Sequence, residues 1–163
     1  MKIAPSPYLA LNHIEYFQFE EDFVEENVRC IPMIVRFKMD EAGIKLRLME
    51  WSKFSVDERV ALAVMPCDTN ETAGVYKEYL IGLIKKYTSN IPSEISPQSP
   101  AEWADIASVP QLLLNKLTEL DMGITLHQWQ ALTDLQRFAL LKLCKSSHEN
   151  KNLPKALKEF GIV

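Results

Sequence analysis

Slid against itself by 78 positions, this sequence of 163 residues matches over 31–65 without a gap. Trp51 falls on Trp129, Arg59 on Arg137, Ala61 on Ala139, Leu62 on Leu140, Leu48 on Leu126 and Pro32 on Pro110. Other pairs keep physical type, among them Ile34 with Leu112, Met39 with Leu117, Phe54 with Leu132, Ser55 with Thr133 and Glu58 with Gln136. An internal period constrains the architecture before local propensity does, because each copy has to build the same supersecondary unit.

That unit is helical. Each copy opens with a β-branched residue and a proline, and proline suits the first turn of a helix, where its missing N–H is not needed. Helices are predicted at about 32–42 and 110–121. Val35, Met39 and Ala42 share a face of the first, and Leu113, Leu117 and Leu120 repeat the spacing in the second. Gly43 and Gly123 are the expected left-handed stops. The strings LRLMEWSKFS and TLHQWQALT read as short helical turns. Ser55 with Glu58, and Thr133 with Gln136, form the S/T-x-x-E/Q capping box that starts new helices at about 56 and 134. Asp68 and Thr69 introduce a long helix over 70–87, where Val75, Tyr76, Tyr79, Leu80, Leu83, Ile84 and Tyr87 form an apolar stripe, and LPKALKEFGIV ends the chain with a helix over 154–160. A short helix is predicted in AEWADIA and another at about 19–28.

The expected fold class is therefore all-α: a compact multi-helix array built from two tandem copies, about 31–87 and 109–160, in a single domain 1–163. A Pro/Ser-rich linker, 88–100, joins the copies. Only five glycines argue against a turn-dense all-β alternative.

Composition narrows the function. A net charge of -4 supplies no footprint for a phosphate backbone, which disfavours nucleic acid as a partner. MKIAPSPYLALNHIEY lacks the apolar stretch of a signal peptide, and no run approaches the 18 or so apolar residues that span a bilayer, so a cytoplasmic protein without a membrane partner is expected. Cys30, Cys67 and Cys144 suit reduced thiols. His13, His127 and His148 form no H-E-x-x-H set, no C-x-x-C is present, and the usual glycine-rich phosphate loops are missing. Neither metal nor cofactor is expected. The acids Glu20, Glu21, Asp22, Glu25 and Glu26 are formally able to pair for acid–base work, but such a run reads first as a solvated face.

Duplication also sorts residues by role. Trp51, Trp129, Arg59 and Arg137 occur in both copies and read as structural, the indoles burying apolar area and the arginines covering a ring or binding carbonyls at a preceding helix end. Arg36, Phe37, Asp40 and Cys30 occur only in the first copy; Arg36 matches Leu114. Arg36 and Asp40 suit a surface ion pair or a partner contact, since arginine is enriched in binding hot spots. Cys67 and Asp68, at the entry to the long helix, pose the same choice.

The strings FQFEEDF, RCIPMIVRFKMDEAGIKL, EWSKFSVDERVAL and MPCDT, followed by GITLHQWQALTDLQRFALLKL, resemble the nitrate reductase-associated proteins of cyanobacteria and some other bacteria, over roughly residues 14–162. The resemblance implies a non-catalytic accessory protein whose partner is an assimilatory molybdenum nitrate reductase or its molybdenum-cofactor machinery. It carries over no catalytic residue. Two other readings stand beside it: a cysteine-dependent cofactor or metal carrier, or small enzyme, using Cys30 or Cys67, and a helical protein that forms a homo-oligomer.

Overall fold

Proline-led helix starts and capping boxes organise the computed structural model, which describes residues 6–11, 14–22, 30–96, 101–145 and 150–163. Helix makes up 65% of the described residues and strand 3%, so the all-α expectation holds at the level of fold class. The chain divides into two compact units, Met1–Tyr16 with Glu20–Pro97, and Phe17–Phe19 with Gln98–Val163.

The first unit contains α1 (Met33–Ala42), β1 (Ile44–Lys45), α2 (Leu48–Lys53), α3 (Val56–Val64), α4 (Asn70–Tyr87) and β2 (Ser93–Glu94). Pro32 occupies the N-cap of α1, and Gly43 ends it in the left-handed region at φ 75°. The capping box of α3 is closed in both directions: Ser55 Oγ accepts from Glu58 N at 3.1 Å, and Glu58 Oε1 accepts from Ser55 N at 2.8 Å. Tyr76, Leu80, Leu83 and Ile84 of α4 are buried, as the stripe predicts, whereas Val75 is exposed. With Val35, Ile44, Trp51 and Leu62 they form the core, and the buried Tyr76 hydroxyl donates to Leu62 O at 2.7 Å.

The strand pair was not foreseen. β1 and β2 are antiparallel, Ile44 opposite Glu94 and Lys45 opposite Ser93, so the expected linker 88–100 carries two residues of sheet. Ser93 and Glu94 have no strand-forming side chains. Their backbone is held because Ile44 is buried and Ile95 N donates to Gly43 O at 2.9 Å. Residues 97–100 of that linker lie outside the described residues.

The second unit contains α5 (Gln111–Glu119), α6 (Leu126–Ala131), α7 (Asp134–Lys145) and α8 (Leu153–Glu159) around Leu113, Leu117, Trp129, Leu140, Leu143 and Leu157. The expected stop at Gly123 is corrected. Asp121 takes the left-handed conformation at φ 58°, and Met122 N closes the helix end onto Leu117 O at 2.8 Å. Asp tolerates this region because its short polar side chain bonds locally, so no glycine was required. AEWADIA forms only a 3-10 turn, Glu102–Ala104. The helix expected at 19–28 is likewise a 3-10 turn, Gln18–Asp22, and residues 23–29 lie outside the described residues.

Candidate functional site

Arg36, Phe37 and Asp40 are placed by α1, whose start needs a cap that Pro32 cannot supply. Glu20 supplies it. Its carboxylate is fully buried, and Oε1 accepts from Met33 N, the first orphan donor of the helix, at 2.7 Å. The reading of 20–26 as a solvated acidic face is thus wrong for Glu20, while Glu25 and Glu26 lie outside the described residues.

All three candidate residues on α1 are half-buried. Arg36 folds its guanidinium back along its own chain, Nε donating to Ile31 O at 2.8 Å. Between Phe37 and Asp40, Lys38 reaches the far end of α3 and donates from Nζ to Ala63 O at 2.7 Å and Met65 O at 2.6 Å. A cation belongs there, because the last carbonyls of a helix lack partners and carry the negative end of its dipole. Burial holds the Lys38 ammonium below its usual pKa.

Cys67 closes the corner from the other side. Its thiol, 7% exposed, donates to Lys38 O at 3.2 Å. Two candidate stretches far apart in sequence, α1 and the entry to α4, thereby meet at one backbone carbonyl. Asp68 is exposed, and its Oδ1 accepts from Thr72 Oγ1 at 3.3 Å in the first turn of α4.

The corner is not built for thiolate chemistry. Burial pushes the Cys67 thiol up to about 11, and burial does the same to Cys144 in the second unit. A thiol with that pKa is almost entirely protonated at neutral pH, and the thiolate is the form that attacks or ligates. Cys30 is half-buried, and none of the three cysteines is in a disulfide. Among the described residues no group of three or more His, Cys, Asp or Glu is arranged to hold a metal, and no helix is long and apolar enough to cross a membrane.

The tryptophans and arginines that match at an offset of 78 form cages. Both indoles are fully buried, and in each unit the arginine sits over its tryptophan, Arg59 over Trp51 and Arg137 over Trp129, at 5.9 Å from the ring centroid in both. Arg137 also donates to the carbonyls of Trp103, at 2.8 Å, and Leu132, and pairs with Asp134. Arg137 thus lies over a ring and binds the carbonyl of Leu132 at the end of α6.

Sequence reasoning missed Lys38, although the signal was available: it matches Lys116 at the same offset of 78. Lys116 pairs with Glu119 at 2.9 Å, and its charge partly offsets the rise that burial gives the Cys144 pKa, as that of Lys38 does at Cys67. Glu20 carried no such signal, because only the fold reveals that it caps a helix thirteen residues away.

Neither a curated protein nor a solved structure matches the chain. A family model described as conserved nitrate reductase-associated protein matches residues 16–160, a stretch that includes both cages, the corner of Lys38 and Cys67 and every candidate residue on α1. The chain belongs to the conserved nitrate reductase-associated protein family.

Proposed function

We propose that this chain is a non-catalytic, cytoplasmic accessory protein that binds an assimilatory molybdenum nitrate reductase and supports its maturation or activity. Family membership is the observation that carries the reading. The corner on α1 adds to it: Arg36, Phe37, Asp40 and Asp68 leave polar and aromatic surface for a partner, while Cys67 is capped by a carbonyl and kept protonated. The raised Cys67 thiol weighs against Cys67 as the working thiol of a carrier or enzyme.

We also infer that one helical unit occurs twice in a single domain. Support comes from the equal arginine–indole spacing and the paired capping boxes at Ser55 and Thr133. That Phe17–Phe19 packs within the second unit although the chain on both sides of it belongs to the first supports one domain.

The test is copurification. A tagged chain should recover the molybdenum enzyme, and Arg36→Glu should reduce recovery while circular dichroism stays unchanged. Recovery of no reductase, together with intact nitrate reduction after deletion of the gene, would overturn the reading.

A further inference from the structure

A groove of about 700 Å³ lies within the first unit, where α2 faces the end of α4. Arg47, Lys53 and Lys86 line it, and the one carboxylate in its lining is Glu50. That carboxylate is already engaged: Oε2 accepts from Arg47 N at 2.8 Å and Oε1 from Asn90 Nδ2 at 3.0 Å, with the residue only 4% exposed. Lys86 pairs at 3.0 Å with Glu58, which is outside the lining. Arg47 and Lys53 are exposed and have no ion-pair partner among the described residues. On a chain of net charge -4, two uncompensated cations converging on one concave surface run against the overall balance.

One side chain of the lining is apolar and largely in water: Met49 is 75% exposed. Met49 thus sets apolar surface among the cations of the lining. The second copy lacks this combination: at an offset of 78, Arg47 becomes Thr125, Met49 becomes His127, Glu50 becomes Gln128 and Lys53 becomes Ala131. The scaffold common to the copies therefore does not account for it.

We propose that this groove docks an acidic segment of a partner protein, whose carboxylates meet Arg47 and Lys53 and whose apolar side chain covers Met49. A small free anion satisfies the cations but leaves Met49 in water, so the peptide is the occupant that uses the whole surface. The proposal deepens the accessory reading by naming a surface and the chemistry of what it grips.

The probe is a short fluorescein-labelled peptide of glutamates interspersed with leucines, titrated into the full chain and followed by anisotropy. Binding should weaken about tenfold in the double variant Arg47→Glu/Lys53→Glu, and by a similar factor when glutamine replaces glutamate in the peptide. Met49→Ser should weaken it about threefold, and added salt should weaken it progressively. Circular dichroism checks that the variants fold, and Arg47→Gln/Lys53→Gln serves if charge reversal unfolds the chain. Equal binding of the glutamine peptide, or displacement by inorganic phosphate as effective as by unlabelled peptide, overturns the proposal. Copurification separates the two readings. A reductase recovered equally by wild type and the double variant sinks the groove and leaves the accessory role, whereas charge-dependent peptide binding without any reductase recovery keeps the groove and sinks that partner.

Discussion

Trp51 and Trp129 occupy similar cages that differ in their hydrogen bonds. Each indole is fully buried under an arginine at 5.9 Å, but Trp129 Nε1 donates to Asp105 O at 2.9 Å, whereas Trp51 Nε1 has no acceptor among the described residues. A buried donor without a partner costs about 1–3 kcal/mol relative to a satisfied one. That the first unit tolerates it shows where the cage gets its strength. Ring burial and the arginine above it are common to both units; the polar closure is not.

Truncating the rings gives the largest expected effect. Trp51→Ala and Trp129→Ala should each destabilise by about 3–5 kcal/mol, since each empties the centre of its unit. Replacement by Phe sharpens the contrast, because it keeps much of the packing and removes the N–H. Trp129→Phe should cost about 1 kcal/mol more than Trp51→Phe, as it alone strands the Asp105 carbonyl. Denaturant unfolding of the four variants measures this. Equal losses for the two Phe variants would mean that the Asp105 bond contributes nothing net.

What could be seen in the sequence follows the same division. Periodic apolar positions and capping residues are local signals, so α4 was placed at its observed limits, 70–87, and α3 and α7 at their observed starts, 56 and 134. The cages were visible because tryptophan and arginine repeat at a fixed offset. The acceptors that complete them were not. Asp105 meets Trp129 through a backbone carbonyl, which any residue offers, and Arg137 meets Trp103 the same way. For the candidate site, Cys67 and α1 were each picked out, but their meeting at Lys38 O depends on how α1 and α3 pack, which no spacing encodes. The groove was missed because its cations come from α2 and the end of α4, stretches read only for their apolar faces.

A second contrast concerns how each unit is closed. The second unit includes Phe17–Phe19 from early in the chain: Phe17 and Phe19 are buried, stack at 5.5 Å, and lie 4.9 Å and 6.2 Å from Phe160. Glu159 holds the segment with both carboxylate oxygens, accepting from Gln18 N at 3.0 Å and Phe19 N at 2.9 Å. Phe19→Ala should cost about 3 kcal/mol and Glu159→Ala, at an exposed position, about 1 kcal/mol. Hydrogen exchange locates the loss. Amides of α8 should exchange faster in both variants while those of α1 keep their protection; faster exchange in α1 with α8 unchanged would assign the segment to the wrong unit.

The smallest effect is a difference in acid response between α3 and α7, whose sequences match at an offset of 78. Glu58 is held at a pKa of about 2, below the usual 4.5, first by the Tyr87 hydroxyl at 2.6 Å, then by Ser55 N, with Lys86 adding its charge at 3.0 Å. Its counterpart Gln136 accepts from Thr133 N at 2.9 Å through an amide that does not titrate. The folded pKa lies below the unfolded one, so the stabilisation is complete above pH 4.5 and is lost as pH falls toward 2. Lowering the pH through that window should therefore open the capping box of α3, whose acceptor titrates, while the box of α7 stays closed, and Glu58→Gln should remove the difference by making the α3 box respond as the α7 box does. Exchange rates of the amides of Glu58 and Gln136, corrected for the intrinsic pH dependence, report it directly. Parallel loss in both helices, or a wild-type response that survives Glu58→Gln, would show that the acid sensitivity of the first unit arises elsewhere.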